Sequence, residues 1–443
     1  KNLLLSGVNN IFVPKDCNFS YEVSMLNPIC KISKEEDIKS IINSEKQLLI
    51  YCKKNKEEAI ELNDYCRKCN VKMIWACSIG ASGFVFDDVL ESHFIKDVDG
   101  ENIDQLQIEN IGLSGEIEVI GDLSNVKDND TITFKSLVGN KIDFLRDKKF
   151  KITVKNRNTI KLSDFEDSKL LEEMDLQNGT IIVEKRTLDV CHASLGVQLE
   201  RLKAAGGGVY LSNSFNELYD KNVLVSQIDF LEKGSNDSPC KSNSDKNIER
   251  LSKSFDENIP CVSSVIGAYA SNEAIKILTN KFEPLSQWFI YSDYNLVPLD
   301  NLVLNEVFLN YIKNMSLFMV GCGAIGCEVL KNLAQLGFCT ENGKLIITDP
   351  DHIEISNLSR QFLYRNEHVK QSKSKVASEE IKKFNREINI VALDQKMCPD
   401  NQDLLNKIFV KDEIDCVVNA LDNVEARRYM DIQCFNNSVP LFE

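Results

Sequence analysis

The chain is 443 residues long, which predicts about three domains at ~150 residues per domain, and its hydrophobic fraction of 43% is ordinary for a globular protein. The 52 Lys and Arg against 67 Asp and Glu give a net charge of −15, which argues against a nucleic-acid-binding protein and favours a basic partner. No apolar run reaches the ~18–20 residues of a membrane span. The 15 cysteines are scattered along the chain, which favours reduced thiols in the cytosol or nucleus.

The first segment, residues 1–97, alternates apolar strand-like runs with a helical pattern through residues 57–69, so we expect a parallel sheet with helical crossovers. The strand-like runs are Asn10–Val13, Leu48–Tyr51 and Lys72–Ala76. In the second segment, residues 98–188, short β segments are separated by Asn, Asp and Gly turns, which predicts a small antiparallel barrel or sandwich. These β segments are residues 115–120, 131–134, 150–154 and 180–184.

Three further segments complete the chain. Residues 189–257 begin with a helical pattern from Cys191 to Ala204 and continue with a polar insertion that includes Gly234–Ser238. Residues 258–300 contain an apolar helical period and a strand at Trp288–Tyr291, and residues 301–443 are α/β again.

The two α/β parts resemble each other. Leu48–Tyr51 followed by a helix matches Cys416–Asn419 followed by a helix, and this alignment places Lys54 opposite Asp422. A similar alignment places Pro14 opposite Asp349. We therefore expect two copies of one fold, with the barrel inserted into the first copy and the functional site kept only in the second.

A glycine-rich loop follows a buried strand in the last segment. The strand, 316–320, leads into Gly321-Cys322-Gly323-Ala324-Ile325-Gly326, and a helix begins directly afterwards. Glycines let the backbone approach a phosphate, and the helix N-terminus offers free N–H groups. The next strand ends in Asp349, at the place where an acid holds a ribose hydroxyl. These features alone predict a nucleotide site, with NAD as the default nucleotide.

Two polar clusters point away from hydride transfer. Residues 349–365 combine acids, an amide and two arginines, and Lys373 follows at a distance that could bring it to the same pocket. Cleaving the α–β phosphate bond of ATP requires fixed positive charge and a metal, whereas a dehydrogenase leaves its pyrophosphate intact. Asp422 follows another strand at the same sheet edge, where a carboxylate is well placed to hold Mg²⁺. The alternative role for Asp422 is to cap the helix that follows it.

Residues 316–443 closely resemble the active adenylation domain of ubiquitin-activating enzymes of the single-chain ubiquitin type, which have a ThiF/MoeB-like adenylation fold. The resemblance rests on three stretches in order: 321–328 (GCGAIGCE), 356–365 (SNLSRQFLYR) and 419–427 (NALDNVEAR). Residues 259–291 resemble this family's return into its inactive adenylation domain. The resemblance implies an α/β fold with two Rossmann-like adenylation repeats, the first degenerate and the second active, together with an inserted small β-barrel and a helical segment.

The resemblance further implies ATP-dependent activation of ubiquitin, in which the C-terminal carboxylate attacks the α-phosphate and pyrophosphate leaves. ATP and Mg²⁺ would be the cofactors, ubiquitin and ubiquitin-conjugating enzymes the partners, and the protein a monomer with a pseudo-dimeric internal repeat. By motif match, the nucleotide would lie on the glycine loop and Ala324. The other implied site residues are Asp349 on the ribose, Arg360 and Lys373 on the phosphates, Asn357 and Gln361 as orienting amides, Asn423 beside the nucleotide, and Asp422 with Asp351 on Mg²⁺.

The chain stops at Pro440–Glu443, before the segment that carries this family's thioester cysteine and ubiquitin-fold domain. We therefore expect an incomplete chain in which no visible cysteine is the transthiolation nucleophile. Two alternatives remain. An NAD(P)-dependent oxidoreductase shares the glycine loop but gives no joint role to Arg360, Lys373 and Asp422. A non-catalytic scaffold would only bind a ubiquitin-like protein.

Overall fold

A computed structural model describes most of the chain. The described residues are 1–15, 26–27, 29–42, 47–101, 105–112, 114–146, 148–163, 168–172, 175–204, 211–212, 217–233, 246–297, 303–411 and 414–443. The polar stretch Gly234–Ser238 lies outside them. The chain divides into two compact units, one comprising Lys1–Asp88, Ser194–Ile275 and Ser286–Glu443, the other Val89–Ala193 and Lys276–Leu285.

The β-strands are numbered in chain order. They are β1 Asn10–Pro14, β2 Lys31–Glu35, β3 Leu48–Tyr51, β4 Lys72–Ile79, β5 Ser82–Asp88, β6 His93–Ile95, β7 Gln105–Ile111, β8 Glu116–Ile120, β9 Thr131–Asn140, β10 Lys149–Val154, β11 Thr159–Leu162, β12 Asp175–Val183, β13 Leu188–Val190, β14 Leu211–Ser212, β15 Trp288–Ser292, β16 Leu317–Val320, β17 Leu345–Thr348, β18 Ile390–Leu393, β19 Cys416–Asn419 and β20 Leu441–Phe442.

The α-helices are numbered in the same way. They are α1 Asn2–Leu5, α2 Ile38–Ile41, α3 Lys56–Lys68, α4 Ser168–Glu172, α5 Leu195–Lys203, α6 Glu217–Lys233, α7 Lys246–Ser252, α8 Pro260–Thr279, α9 Glu306–Asn314, α10 Ala324–Leu336, α11 Lys373–Phe384, α12 Gln402–Lys411 and α13 Val424–Asn437. Short 3₁₀ turns lie at Tyr294–Leu296, Ile355–Asn357, Asn366–His368 and Pro399–Asn401. None of the helices in the described part of the chain is long and apolar enough to cross a membrane.

The smaller unit is built around a closed barrel with the strand order β10-β11-β8-β7-β12-β9. All of the strand pairs in this barrel are antiparallel. Alternating apolar residues of each strand fill the barrel core, while the residues between them face outwards. The antiparallel barrel expected from the turn-rich sequence is therefore confirmed.

The first α/β segment differs from the expected parallel sheet. Its main sheet has the order β14-β15-β5-β4-β3, in which β3 and β4 are parallel but β4–β5 and β5–β15 are antiparallel. The reversal comes from a two-residue turn, Gly80-Ala81, that folds β5 back onto β4. The run Asn10–Val13 does form a strand, but it pairs with β2 in a separate two-stranded sheet. The purely parallel sheet was thus a wrong prediction.

The last segment contains a fully parallel sheet with the order β18-β17-β16-β19-β20. Successive residues of β16 pack on opposite faces: Leu317 and Met319 join the core that includes α10 and α11, whereas Phe318 and Val320 join the core that includes α12 and α13. Burial on both faces explains why this strand is a continuous apolar run. The sheet covered by helices on both sides confirms the α/β fold predicted for residues 301–443.

Candidate functional site

Three neighbouring parallel strands end together at one edge of the second sheet. Val320 at the end of β16 is in register with Thr348 of β17 on one side and with Asn419 of β19 on the other. The residues that follow these strands therefore lie side by side: the glycine loop from Gly321, the acid Asp349, and the segment 420–423. Ligands of open parallel sheets bind at this carboxyl edge.

The glycine loop is shaped by close backbone contacts. Gly321 has a φ of +103°, and a Cβ there would lie 2.4 Å from the carbonyl oxygen of Ala420. A Cβ on Gly326 would lie 2.4 Å from the carbonyl oxygen of Gly321. Gly323 precedes α10, and no side chain caps this helix. The first N–H groups of α10 are therefore presented to the sheet edge, where they can bind an anion.

The side chain of Asp349 stabilises the glycine loop by hydrogen bonding. It is only 6% exposed, and its Oδ2 accepts a hydrogen bond of 2.7 Å from the backbone N–H of Cys322, while its Oδ1 accepts one of 2.9 Å from the backbone N–H of Asp351. Burial raises the pKa of the Asp349 carboxyl above its ordinary value, against these two N–H donors and the charge of Lys373. Both oxygens already accept backbone N–H groups, so the residue expected on the ribose also has a structural role in the loop.

Lys373 provides a buried positive charge. It is 7% exposed at the first position of α11, and its Nζ donates to Oδ2 of Asp351 at 2.8 Å. Its backbone N–H also donates to the carbonyl oxygen of Asp351 at 3.0 Å. The side chain of Asp351 is 65% exposed, so this carboxylate lies between the buried ammonium group and solvent. The lysine and one of the two expected metal ligands are thus direct partners.

The expected site residues of the 356–365 stretch differ in their exposure and in their hydrogen bonds. Arg360 is exposed, and its guanidinium donates to the carbonyl oxygen of Ser356 at 2.9 Å. Asn357 is buried, and its side-chain oxygen accepts from the backbone N–H of Glu354 at 3.0 Å, which fixes the 3₁₀ turn. Gln361 is 4% exposed, and its Oε1 has no hydrogen-bond partner among the described residues. Its Nε2 lies 4.0 Å from the point where a Cβ on Gly323 would stand.

The end of β19 brings an amide and a carboxylate to the same edge. Asn419 is 6% exposed, and neither polar atom of its side chain has a partner within the described residues. Asp422 is exposed, three residues further along. Asn423 caps α13, because its side-chain oxygen accepts from the N–H groups of Glu425 at 2.8 Å and Ala426 at 3.1 Å. A capping role for Asp422, the alternative to metal binding, is therefore wrong: its neighbour is the cap.

The polar groups at the carboxyl edge of the second sheet fit the phosphates of a nucleotide. The uncapped start of α10 and the buried cation of Lys373 suit anionic groups. Within the described residues, Oε1 of Gln361 and both polar side-chain atoms of Asn419 have no hydrogen-bond partner, so a polar ligand can satisfy them. Within the described ranges no three His, Cys, Asp or Glu side chains come together as a metal site. Mg²⁺ commonly takes one or two carboxylates and completes its shell with phosphates and water, so Asp422 and Asp351 fit that chemistry.

Residues 299–443 match the model of the ThiF family. Similar curated proteins include ubiquitin-like modifier-activating enzyme 6 of Homo sapiens, 39% identical over 202 residues, with 41% of this chain and 19% of that protein covered. Ubiquitin-like modifier-activating enzyme 1 of Dictyostelium discoideum is 27% identical over 432 residues, covering 87% of this chain and 41% of that protein. The resemblance to ubiquitin-activating enzymes is confirmed.

The aligned part of the chain thus spans less than half of the length of either relative. Among solved structures, an E. coli tRNA N6-threonylcarbamoyladenosine dehydratase in complex with ATP is 26% identical, with 31% of this chain and 53% of that chain covered. Its TM-score is 0.28, too low to bear on the fold.

Two residues of the segment that matches the ThiF family are prominent in the structure but had no role predicted from the sequence. Asn419 precedes the Asp422 segment, and its burial without partners among the described residues could not be read from a strand pattern. Tyr364 is 2% exposed, and its hydroxyl donates to the carbonyl oxygen of Cys322 in the glycine loop at 2.7 Å. The only sequence signal for either was its position inside a stretch that matches the family.

Proposed function

We propose that this chain carries the adenylating site of a ubiquitin-activating enzyme. ATP would bind at the carboxyl edge of the second sheet, and the C-terminal carboxylate of ubiquitin would attack its α-phosphate. The new bond joins the carboxylate oxygen to the α-phosphorus, the bond to the bridging oxygen breaks, and pyrophosphate leaves. The observation that carries the proposal is the alignment of β17, β16 and β19, which brings Asp349, the glycine loop and Asp422 to one edge.

The residues at this edge supply positioning and charge rather than a base. A carboxylate nucleophile is already ionised at neutral pH, so no proton has to be removed. The start of α10 and Lys373 would hold the phosphates, with Arg360 reaching them from its exposed position. When bound, Mg²⁺ would neutralise charge on the departing pyrophosphate, with Asp422 and Asp351 as its protein ligands. Gln361 and Asn357 would orient the nucleotide, and Ala324 and Asn423 would lie beside it.

The domain organisation of the proposal follows the sequence. Residues 1–97 and 258–300 would be a degenerate adenylation repeat, 98–188 an inserted barrel, 189–257 a helical segment, and 301–443 the active repeat. Thioester formation on a cysteine outside residues 1–443, transfer to conjugating enzymes, a monomeric state and a location in the cytosol and nucleus belong to the same proposal. Relatives named as modifier-activating enzymes support it over an NAD(P)-dependent oxidoreductase.

The test is ATP–pyrophosphate exchange with the full chain. We expect labelled pyrophosphate to enter ATP only when Mg²⁺ and ubiquitin are both present, because exchange requires the reversible formation of ubiquitin-adenylate. A ubiquitin whose C-terminal carboxyl group is converted to an amide serves as the control and should give none, because it has no carboxylate to attack the α-phosphate. Tight binding of ubiquitin without exchange would favour the scaffold, and binding of NAD measured by calorimetry would favour the oxidoreductase.

A further inference from the structure

A buried tyrosine connects the glycine loop to the start of α11. The hydroxyl of Tyr364 donates to the carbonyl oxygen of Cys322 at 2.7 Å and lies 3.3 Å from the carbonyl oxygen of Lys373. Its ring packs in the core cluster formed with α10 and α11. Burial raises the pKa of the Tyr364 phenol far above its ordinary value, so the hydroxyl keeps its proton and remains a donor.

This contact, together with a longer one of 3.6 Å from the Sγ of Cys327 to the same oxygen, fixes where one peptide group of the loop points. The peptide bond between Cys322 and Gly323 is trans, so the carbonyl of Cys322 and the N–H of Gly323 point in opposite directions within one plane. With the carbonyl turned inwards to Tyr364, the N–H of Gly323 is turned away from the core. The N–H of Cys322 is already taken by Asp349 at 2.7 Å, so it cannot serve a ligand.

The same residues close a ring of polar contacts. Cys322 donates to Asp349, Asp349 accepts from Asp351, and the backbone N–H of Lys373 donates to the carbonyl oxygen of Asp351 at 3.0 Å. Tyr364 completes the ring between Lys373 and Cys322. The loop and the buried lysine are therefore held in one fixed relation by a hydroxyl that itself stays in the core.

We propose that Tyr364 is a positioning residue for nucleotide phosphate: its hydroxyl holds the Cys322 carbonyl inwards and thereby aims the N–H of Gly323 at a phosphate oxygen. The inference rests on the proposed nucleotide site. It extends that proposal by assigning a specific phosphate donor and the side chain that orients it. The donor would act together with the uncapped start of α10.

The test compares Tyr364→Phe with the unchanged full chain in calorimetric titrations with ATP, ADP, AMP and adenosine. Losing one hydrogen bond to the loop should weaken binding of the three phosphate-bearing ligands about 3- to 10-fold. Adenosine affinity should not change, because it has no phosphate for Gly323 to bind. A general loosening of the site would weaken all four ligands alike and would overturn the inference.

Tyr51→Phe is the matched control. Tyr51 lies in the first sheet, is also buried, and donates a hydrogen bond of 2.7 Å from its hydroxyl to the carboxylate of Glu58. The ATP affinity of this variant should equal that of the unchanged chain. If the unchanged chain itself does not bind ATP, the proposed function fails, whereas normal ATP affinity in Tyr364→Phe overturns only the positioning role.

A second variant covers the case in which Tyr364→Phe does not fold. Gly323→Pro removes the backbone N–H of residue 323. It is compatible with the observed φ, since Gly323 has a φ of −75° and proline requires about −65°. With Tyr364 intact, this variant should lose the same phosphate-dependent affinity, and adding Tyr364→Phe should weaken binding no further. Unchanged ATP affinity in Gly323→Pro would contradict the inference.

Discussion

Two strand–helix connections of this protein share a local structure but differ in chemistry. In the first sheet β3 ends at Tyr51 and Asn55 caps α3, accepting from the N–H of Glu58 at 3.0 Å. In the second sheet β19 ends at Asn419 and Asn423 caps α13 in the same way. The spacing from strand end to cap is the same. The residue before the cap is Lys54 in one connection and Asp422 in the other.

The surroundings of the two connections differ as well. In the first, the hydroxyl of Tyr51 donates to Glu58 at 2.7 Å, and the indole N–H of Trp75 donates to the carbonyl oxygen of Lys53 at 3.1 Å. In the second, the buried amide of Asn419 has no partner among the described residues. The named polar side chains of the first connection are thus bound within the protein, whereas the second leaves a buried amide unpaired among the described residues. A strand, a cap and a helix provide a scaffold, and the unpaired groups determine what it can bind.

Asp422→Ala should lower the rate of ATP–pyrophosphate exchange more than any other substitution considered for the two connections. The variant removes an exposed carboxylate that is proposed to hold Mg²⁺ and is not the cap of α13. Losing one electrostatic contact to the transition state costs about 10²–10³ in rate, so ATP–pyrophosphate exchange should fall at least that far. The melting temperature, measured on the same sample, should stay unchanged. A destabilised but active variant would contradict the metal role.

The two caps provide a matched pair. Asn55→Ala and Asn423→Ala should each lower the free energy of unfolding by about 1 kcal/mol, since each removes a side-chain cap. We expect ATP affinity to fall only in Asn423→Ala, because its cap fixes the segment that carries Asp422. Denaturant unfolding and calorimetry on both variants measure this difference. Equal losses of ATP affinity would show that the first connection also contributes to the nucleotide site.

A smaller effect concerns pH. Burial raises the pKa of Asp349 in the folded protein, so the folded state holds this proton more tightly than the unfolded chain does. Its contribution to stability is therefore largest below the ordinary carboxyl value of 3.8 and declines as the pH rises towards the raised pKa. Asp349→Asn should flatten this decline in unfolding experiments across that window. Pro14, the residue aligned with Asp349 in the first α/β part of the sequence, has no titratable side chain and makes no such pH-dependent contribution.

The smallest effect is expected for Lys54→Ala. Lys54 is exposed at the position that corresponds to Asp422, but an ammonium group cannot bind a metal cation. ATP affinity and exchange should therefore match those of the unchanged chain within error. A large loss of ATP affinity would break the assignment of an inactive first copy and an active second copy.

Local patterns made most of the second sheet predictable. The apolar run of β16 leads directly into the glycine loop. Because both features depend only on neighbouring residues, the strand, the loop and the helix could be predicted from the sequence. The first sheet was harder, because β5 pairs with β15 from a distant part of the chain. The turn at Gly80-Ala81 decides the strand direction, and the periodicity of either strand does not show it.

The site was predictable in its composition but less so in its contacts. The positions of Asp349 and Asp422 after two strands, and that of Lys373 after the polar stretch 349–365, were enough to predict that these residues share one site. Hydrogen bonds to the backbone could not be predicted from residue types, because any residue at position 322 has the carbonyl group to which Tyr364 donates. The cap of α13 was equally hidden, because adjacent Asp and Asn residues both suit a helix N-terminus and only the geometry shows that Asn423 provides it.

We propose that the carboxyl edge of the second sheet activates a carboxylate with ATP and that the first sheet does not. The most direct test is the ubiquitin-dependent ATP–pyrophosphate exchange rate, measured side by side in Asp422→Ala and Lys54→Ala of the full chain. We expect the first variant to lose exchange and the second to retain the rate of the unchanged protein. Retained exchange in Asp422→Ala, or lost exchange in Lys54→Ala, would contradict the assignment of the adenylating site to the second sheet alone.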